Sequence, residues 1–299
     1  MKSILKRLGA LVLFFTLLFL SYTVADAATY YLSPTGSDTN NGTSVATAWK
    51  SLPRAWQTIV AGDTVNLKGG NYSITQNQYL TGKNGTASNP INILAVAGET
   101  PIFTKTANFD VNQGYYRGCF YFSGNYFNWK GLEIICPQNP EGYVDSGFVV
   151  DGANNNKFEL FHIHNSSGGF YLQGDSNGNT VLNGDFHDNY DPNTPGAAGN
   201  NSDGLDFGFI YNTSAVNTAI GVRSWNNGDD GYDFFENTGT VICDQCWAWK
   251  NGYNPATGNP GPGSNGDGFK FHSPANPNTI TRKVTRSIAA LNRLTGFHQ

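Results

Sequence analysis

A short motif recurs along the second half of this chain and restricts what it can fold into. A glycine is followed by an aromatic residue or leucine, then by any residue, then by an apolar one. The motif starts at Gly147, Gly169, Gly204, Gly231, Gly268 and, cut short, Gly296. The spacings are 22, 35, 27, 37 and 28 residues, and a period in the low twenties that is lengthened at certain turns is typical of a solenoid with inserted loops. Because 36 glycines and one methionine also disfavour a helical protein, we predict an all-β parallel β-helix solenoid.

The first residues have the three parts of a secretory signal peptide. Basic side chains precede an apolar run from Leu11 to Leu20, and the small-residue sequence Ala25-Asp26-Ala27 follows. The apolar run is too short to span a bilayer. We therefore predict a signal peptide over residues 1–27 and a secreted, extracellular protein without a membrane segment after cleavage.

The rest of the chain is predicted to be one β-helix domain over residues 28–299. Residues 28–100 are expected to form an N-terminal cap and the first coils, and residues 101–299 the further coils that carry the site. One short capping helix is predicted from Ser51 to about Val60, because Ser51 can cap it and proline follows in the first turn. Since the sequence stops within a repeat unit, we expect the solenoid to be truncated at its C-terminus.

Two insertions account for the longest spacings. They lie near 189–200 and 251–265, are rich in Pro, Gly and Asn, and are predicted to be loops at the same corner of the coil. Long loops on one edge of a rigid scaffold would wall a groove. Asparagines four residues before a repeat glycine are predicted to stack in the turns and hydrogen-bond to one another; they are Asn165, Asn200, Asn227 and Asn292.

Alignment of the repeats by their glycines brings distant acidic residues together. One residue before the glycine stand Asp203, Asp230 and Asp267, and two residues after it stand Asp206, Asp233 and Lys270. Successive coils of a solenoid stack about 4.8 Å apart, so these carboxylates should converge, with a lysine one coil further on. Asp229 belongs to the turn beside them.

These carboxylates need a counter-charge that the chain hardly supplies. Between Lys157 and Lys250, the only lysine or arginine is Arg223. Stacked ionised aspartates without a partner would repel one another and destabilise the fold. Oxygen ligands without sulfur or nitrogen suit a hard cation, and we predict a Ca²⁺ site. A turn role for Asp-Gly pairs is the alternative.

The site motifs also resemble a known family. Asn201-Ser202-Asp203-Gly204, Asp229-Asp230-Gly231-Tyr232-Asp233 and Gly266-Asp267-Gly268-Phe269-Lys270 are similar, in order and spacing, to the motifs of family 9 polysaccharide lyases, the pectate lyases on a right-handed parallel β-helix. The family usually has Ala-Asp-Gly-Phe where this chain has Ser202-Asp203-Gly204-Leu205, and asparagine where Asp267 stands.

The resemblance implies a function and a set of roles. The chain would be a secreted, monomeric, calcium-dependent pectate lyase that cleaves polygalacturonate, the anionic polysaccharide of pectin, by β-elimination. Lys270 would be the catalytic base, and the calcium ligands would be Asp203, Asp229, Asp230 and Asp233. Asp206 is a further possible ligand that the family pattern does not require. Arg223 is predicted either to hold a substrate carboxylate or to pair with an aspartate.

The chemistry of elimination agrees with these roles. The proton at C5 of a uronate is weakly acidic because the neighbouring carboxylate is already negative, so a metal must neutralise that charge. A base must be deprotonated, whereas free lysine titrates near about 10.4. A nearby divalent cation and partial desolvation should lower the pKa of Lys270, and an alkaline optimum would follow.

Three other functions remain open on sequence grounds. A polygalacturonase-like hydrolase could use the same carboxylates to activate water, a non-catalytic carbohydrate-binding β-helix could use calcium only to join its coils, and another uronate such as alginate could be the substrate. Nucleic acid is a poor candidate partner because the net charge is −4.

Two groups of potential metal-binding side chains lie outside the acidic motifs. The cysteines Cys119, Cys136, Cys243 and Cys246 could be buried thiols or local disulfides, and a zinc site is disfavoured because the two pairs are more than a hundred residues apart. His162-Ile163-His164 places two imidazoles on one face of a strand, where they could bind a metal or simply face solvent.

Overall fold

The computed structural model describes residues 26–109, 117–140, 145–194, 198–263, 265–271 and 281–299. The predicted signal peptide over residues 1–27 lies almost entirely outside the described residues and stays a prediction. Among the residues that are described, none of the helices has the length and hydrophobicity that a bilayer crossing requires.

Two short helices precede most of the coils. A 3-10 turn covers Val45–Thr47, and α1 covers Leu52–Thr58. Ser51 caps α1 as predicted, because its hydroxyl accepts a hydrogen bond of 3.2 Å from the backbone N–H of Arg54. The predicted capping helix is therefore confirmed, and it ends two residues earlier than expected.

One tryptophan of α1 covers the interior of the first coils. Trp56 is buried, and its ring stacks on those of Phe127 and Trp129 at centroid distances of 5.2 and 6.2 Å. Its indole N–H donates a hydrogen bond of 2.8 Å to the carbonyl of Thr81. The polar atom of this large side chain is thus satisfied while its apolar surface shields the core from water.

The remaining regular structure is made of short strands. In chain order they are β1 (Thr29–Leu32), β2 (Thr64–Leu67), β3 (Gly70–Ile74), β4 (Gln78–Asn84), β5 (Ile91–Ala95), β6 (Pro101–Lys105), β7 (Arg117–Asn125), β8 (Phe127–Lys130), β9 (Glu133–Ile135), β10 (Asp145–Asp151), β11 (Lys157–Glu159), β12 (His162–His164), β13 (Gly168–Gln173), β14 (Thr180–Leu182), β15 (Asp185–His187), β16 (Leu205–Phe207), β17 (Val216–Ile220), β18 (Arg223–Trp225), β19 (Tyr232–Asp233), β20 (Thr240–Asp244), β21 (Trp247–Trp249), β22 (Phe269–Lys270), β23 (Arg282–Thr285), β24 (Ile288–Ala290) and β25 (Phe297–His298).

The strands form three parallel sheets. Sheet I has the order β1-β2-β5-β8-β11-β14-β17-β20-β23, sheet II the order β3-β6-β9-β12-β15-β18-β21-β24, and sheet III the order β4-β7-β10-β13-β16-β19-β22-β25. From β2 onward, the chain adds one strand to each sheet in turn. The predicted parallel β-helix is confirmed.

Single residues in the left-handed backbone region make the corners between sheets. At the corner from sheet I to sheet II, Leu160 and Asn183 have φ of 54° and 51°. At the corner from sheet II to sheet III, Asp188 and Asn226 have φ of 53° and 54°. Between sheets I and II, such a residue turns the chain within the short links 160–161 and 183–184. Between sheets II and III, the residue marks the corner, and the inserted loop follows Asp188.

The repeat motif is explained by packing inside the coils. The residue after the repeat glycine is fully buried at five of the repeats: Phe148, Phe170, Leu205, Tyr232 and Phe269. Phe148 and Phe170 align in register on sheet III with Phe120 of the coil before, and successive ring centroids are 5.4 and 5.8 Å apart. Gly204 has no room for a side chain, because a Cβ there would lie 1.9 Å from Oγ of Ser224. The glycine therefore permits close contact between chain segments, and the next residue fills the core.

Asparagines stack at the corner from sheet II to sheet III, but not all of the predicted ones take part. The stack contains Asn189, Asn227, Asn251 and Asn292, and each backbone N–H donates to the side-chain oxygen of the next member at 3.1–3.3 Å. Asn227 and Asn292 are thus confirmed. The predictions for Asn165 and Asn200 were wrong. Ser166, the residue after Asn165, occupies the position in the stack next to Asn189. Asn200 belongs to the inserted loop.

The cysteines adopt both of the expected states. Cys119 and Cys136 form a disulfide, whereas Cys243 and Cys246 are buried free thiols. The disulfide joins β7 to the residue after β9, and so connects sheets III and II of the same coil region. No zinc site is needed to explain either pair.

Candidate functional site

The predicted alignment of acidic residues is found on sheet III. The strand register pairs Asp206 of β16 with Asp233 of β19, and Asp233 with Lys270 of β22. The three aspartates that precede the repeat glycines lie in the turns that lead into these strands; they are Asp203, Asp230 and Asp267. The structure therefore brings together residues that are up to 67 positions apart in sequence.

The turn aspartates form a ladder with the backbone of the next coil. The carboxylate of Asp203 accepts a hydrogen bond of 3.0 Å from the N–H of Asp230, and Asp230 accepts one of 2.6 Å from the N–H of Asp267. Asp267 in turn accepts one of 3.0 Å from the N–H of Thr295. One oxygen of each carboxylate is thereby fixed, and its orientation is set by the repeat itself.

Lys270 reaches into this cluster. Its Nζ lies 3.0 Å from Oδ2 of Asp230 and 2.8 Å from Oδ2 of Asp233. The lysine side chain is 13% exposed, and Asp230 is fully buried. Lys270 therefore keeps a small solvent-facing surface while two carboxylates of the neighbouring coil neutralise its charge.

The donor set fits a hard cation. Asp203, Asp230 and Asp233 each offer an oxygen within 4.8 Å of the others, and all three residues are buried. Among the described residues, Oδ1 of Asp206 and Oδ1 of Asp233 are buried without a hydrogen-bond partner, and an unpartnered buried carboxylate oxygen is costly. A cation with several oxygen ligands would satisfy them, and this chemistry is that of Ca²⁺.

Asp229 lies beside this group rather than within its tightest part. One of its oxygens accepts hydrogen bonds of 2.6 and 3.4 Å from the N–H groups of Asn265 and Gly266, in the second inserted loop. Its ligand role stays a prediction.

The two inserted loops also touch each other, because the N–H of Gly263 donates to the carbonyl of Ala198 at 3.4 Å.

The cluster holds several carboxylates that are close together and shielded from water. Burial, followed by the neighbouring carboxylates, raises the pKa of Asp203, Asp206 and Asp229 well above the usual range. Burial also raises the pKa of Asp230, to about 7, although Lys270 opposes the shift. Burial would lower the pKa of Lys270, but Asp233, Asp230 and Asp203 outweigh it and hold that pKa above its usual range. Without a metal, the lysine is therefore an ammonium.

Arg223 lies elsewhere. It is on β18 of sheet II, where its Nε and Nη2 donate hydrogen bonds of 2.6 and 2.5 Å to the two carboxylate oxygens of Asp185. Of the two predicted roles, pairing with an aspartate is the one that the structure contains. Contact with a substrate carboxylate stays a prediction.

Two site residues were missed from the sequence, although the repeat points to both. Tyr171 and His298 occupy the same column of sheet III as Asp206, Asp233 and Lys270, two residues after a repeat glycine. The hydroxyl of Tyr171 donates a hydrogen bond of 3.0 Å to Asp203, and Nδ1 of His298 lies 2.6 Å from Oδ2 of Asp267. These contacts extend the polar column by one coil on each side.

A buried aspartate cluster with one lysine, set on one face of a parallel β-helix, defines the class of protein: a β-helix with a polar site suited to a hard cation. A family model described as the Pel9A-like, right-handed β-helix region matches residues 30–299. The chain therefore belongs to this family, and the resemblance to family 9 polysaccharide lyases is confirmed.

Characterised relatives and solved structures agree with this assignment. The chain is 33% identical over 282 residues to pectate lyase L of Dickeya dadantii, covering 90% of this chain and 61% of that protein. It is 31% identical to pectate lyase PEL9 of Emericella nidulans, covering 91% of this chain and 69% of that protein. The chain thus spans about three fifths of the length of the Dickeya protein.

Two solved structures have nearly the same similarity to this fold. The structure of pectate lyase Pel9A matches with a TM-score of 0.74 and 29% identity, covering 93% of this chain and 66% of that one. A rhamnogalacturonan lyase matches with a TM-score of 0.75 and 29% identity, covering 89% of this chain and 69% of that one.

Proposed function

We propose that this chain is a secreted, monomeric, calcium-dependent pectate lyase in which Lys270 removes the C5 proton of a galacturonate unit. The observation that carries the proposal is the position of Nζ of Lys270, within 3.0 Å of two carboxylates of the neighbouring coil, in a chain whose relatives are pectate lyases. Its small exposed surface allows a substrate atom to approach it.

Asp203, Asp229, Asp230 and Asp233 would hold the calcium ion, and Asp206 is available as a further ligand. When bound, Ca²⁺ supplies neutralisation of the substrate carboxylate and stabilises the charge that develops next to it. The unpartnered oxygens of Asp206 and Asp233 support this role, because they are buried acceptors with nothing to accept.

In the reaction, the lone pair of Lys270 takes the proton from C5. The electrons of that C–H bond form a C4=C5 double bond, and the C4–O4 bond to the next sugar breaks. Its electron pair leaves with O4, which takes up a proton from solvent. Lys270 must be neutral for this step. Asp230 and Asp233 hold it protonated when they have no other counter-charge, so their engagement by a cation would remove that support and favour the free amine.

A second substrate has specific support. The rhamnogalacturonan lyase structure is as similar to this chain as the Pel9A structure is. A substrate backbone that contains uronate would present the same acidic carbon and carboxylate to Lys270 and the aspartates. We therefore keep rhamnogalacturonan as the alternative to polygalacturonate.

The test of the proposal is incubation of the full chain with polygalacturonate while the ultraviolet absorbance of the conjugated double bond is followed. We expect absorbance to rise with Ca²⁺, to stop with chelator and to resume when Ca²⁺ is restored. A parallel reaction on rhamnogalacturonan separates the two substrates. New reducing ends without this absorbance would show hydrolysis and contradict elimination. Calcium binding without any product would contradict catalysis and indicate a structural role for the metal.

The charge excess in the cluster also predicts a pH effect on stability. Because the pKa of Asp206 is higher in the folded than in the unfolded protein, the folded state holds a proton that the unfolded state releases above about pH 4. The metal-free protein therefore loses stability from this group as pH rises. Asp206→Asn, which mimics the neutral carboxyl, should raise the Tm of the chelated protein at pH 8 and leave it nearly unchanged at pH 4.

The same variant shows whether Asp206 is a ligand. If it is, Asp206→Asn should also weaken Ca²⁺ binding, measured by calorimetric titration at pH 8. An unchanged calcium affinity would place Asp206 outside the ligand set. A lower Tm at pH 8 in chelator would contradict the electrostatic argument, because the asparagine is neutral without having to take up a proton on folding.

A further inference from the structure

A second group of metal-binding side chains lies on sheet II, away from the aspartates. The register pairs Glu133 of β9 with His162 of β12, and His164 of β12 with His187 of β15. Side chains two residues apart on a strand share a face, so these four side chains point out from one patch of three successive coils. The histidine on β15 could not be assigned to the His162-Ile163-His164 pair from local sequence.

The ring of His164 stacks on those of His162 and His187, and the polar atoms of the patch lie at short distances. Nε2 of His162 lies 2.7 Å from Nε2 of His187, and Nε2 of His164 lies 3.2 Å from Oε1 of Glu133. The three histidines each offer a ring nitrogen within 4.8 Å of the other two. Such a convergence of three imidazoles and a carboxylate is the donor set of many zinc sites.

In His164 and His187, Nδ1 contacts a neighbouring oxygen, which leaves Nε2 of each neutral ring without a hydrogen and able to bind a metal. Nδ1 of His187 lies 2.6 Å from the carboxylate of Asp188, which can only accept, so Nδ1 carries the hydrogen. Nδ1 of His164 lies 2.7 Å from the side-chain oxygen of Asn165, which fixes the same tautomer. Metal-binding histidines commonly donate their other N–H to an oxygen in this way.

With these tautomers, Nε2 of His164 and Nε2 of His187 carry no hydrogen in the neutral rings. Nε2 of His164 then lies against the carboxylate of Glu133, which is an acceptor against an acceptor, and a cation between them would make the contact favourable. Nε2 of His187 is an acceptor beside Nε2 of His162, which either donates a hydrogen bond to it or shares a metal ion with it.

We propose that Glu133, His162, His164 and His187 form a second metal site, for a nitrogen-seeking divalent transition metal such as Zn²⁺. Its ligands differ in kind from the oxygen-only aspartate cluster, because imidazole favours zinc, copper and nickel over calcium. His162 is 38% exposed, which gives the ion a path from solvent. The bound metal ties three coils together and acts on stability rather than on elimination.

The test is a titration of the full chain, free of any polyhistidine tag, with Co²⁺ and Zn²⁺ in excess Ca²⁺. Calcium keeps the aspartates occupied, so they do not compete for the probe. We expect one Co²⁺ per chain with the intense visible bands of a four- or five-coordinate nitrogen site, displaced by Zn²⁺. Zn²⁺ should also raise the Tm, because it binds only the folded chain.

Variants decide whether these residues are the ligands. His187→Gln should weaken Zn²⁺ binding by about 100-fold or more, and Asp188→Asn, which leaves all three histidines in place and changes the orienting hydrogen bond, by about 10-fold. His298→Gln is the matched control, since it removes a histidine of sheet III and should leave Zn²⁺ affinity unchanged. Circular dichroism checks that each variant is folded.

Two results would overturn the site. The first is a Co²⁺ spectrum that stays that of the hexa-aqua ion at stoichiometric metal. The second is equal Zn²⁺ affinity in the wild type, His187→Gln and Asp188→Asn, which would locate the bound metal elsewhere. Because neither readout depends on lyase activity, failure of this site is distinguishable from failure of the proposed function.

Discussion

Replacement of Lys270 by alanine should lower the rate of unsaturated product formation by about 10²–10⁴-fold, the range expected for loss of a general base. Lys270 is the cationic side chain that the structure places within 3.0 Å of both Asp230 and Asp233. The rate is measured as the initial increase in ultraviolet absorbance on polygalacturonate at saturating Ca²⁺ and alkaline pH.

Two further measurements separate catalysis from structural damage. Lys270→Ala removes a positive charge that competes for the carboxylates, so Ca²⁺ should bind at least as tightly as in the wild type. Lys270→Arg keeps the charge but cannot release a proton near neutral pH, and should be as inactive as the alanine variant. Lys250→Ala is the matched lysine control and should retain the wild-type rate.

The base assignment has a clear point of failure. If Lys270→Ala retains activity within a few-fold of the wild type while Ca²⁺ binding is intact, another group removes the proton. If instead the variant loses Ca²⁺ affinity along with activity, Lys270 organises the carboxylates and the kinetic loss does not identify a base. The pH profile of the wild type should rise through an alkaline pKa that disappears in Lys270→Arg.

Asn227→Ala is expected to be the most damaging stability change, at about 3 kcal/mol or more. Asn227 donates from Nδ2 to Asn251 at 3.0 Å and accepts at Oδ1 from Nδ2 of Asn189 at 2.9 Å. Its Nδ2 also lies 2.9 Å from Oγ of Ser224. Alanine would leave buried donors and acceptors on three coils unsatisfied, and each costs about 1–3 kcal/mol.

The matched control is an asparagine from a more exposed stack. Asn177 accepts from the N–H of Val216 and donates from its own N–H to Asn154, but it is only half-buried, so water can replace its side chain. Asn177→Ala should cost about 1 kcal/mol. Urea unfolding, followed by circular dichroism, gives the free energy of unfolding of both variants. Similar losses of that free energy would contradict the argument that burial makes Asn227 more important than Asn177.

The asparagine stack shows what the repeat predicts and where it misleads. Counting back four residues from each glycine identified Asn227 and Asn292 correctly, because only a short turn separates them from the glycine. The same count gave Asn200 in place of Asn189, since the inserted loop lies between the asparagine and the glycine. The stacked residue always comes two positions after the sheet II strand, as Ser166 does after β12, so the strand end is the correct reference.

The site followed the same logic. The phase of Asp206, Asp233 and Lys270 relative to their glycines was correct because parallel strands keep register from coil to coil. Tyr171 has the same phase, but its side chain is neutral, so a pattern of charged residues does not include it. The protonation of Lys270 could not be read from the sequence, because it depends on burial and on distances of about 3 Å.

The histidine patch was hidden for a different reason. His162 and His164 are visible as a pair, but His187 joins them only through the register of β12 and β15. No glycine motif marks sheet II, so the alignment that revealed the aspartates does not extend to it. Three-dimensional pairing of strands was needed to turn two local side chains into a set of four.

Both inserted loops lie at the corner from sheet II to sheet III, and the strands on either side of each loop keep their places in the two sheets. Their length and composition can therefore vary while every coil keeps its neighbours. If the proposed lyase activity holds, exchange of residues 190–201 or 252–263 for the corresponding loops of related chains would be a practical route to change the polysaccharide that is cut.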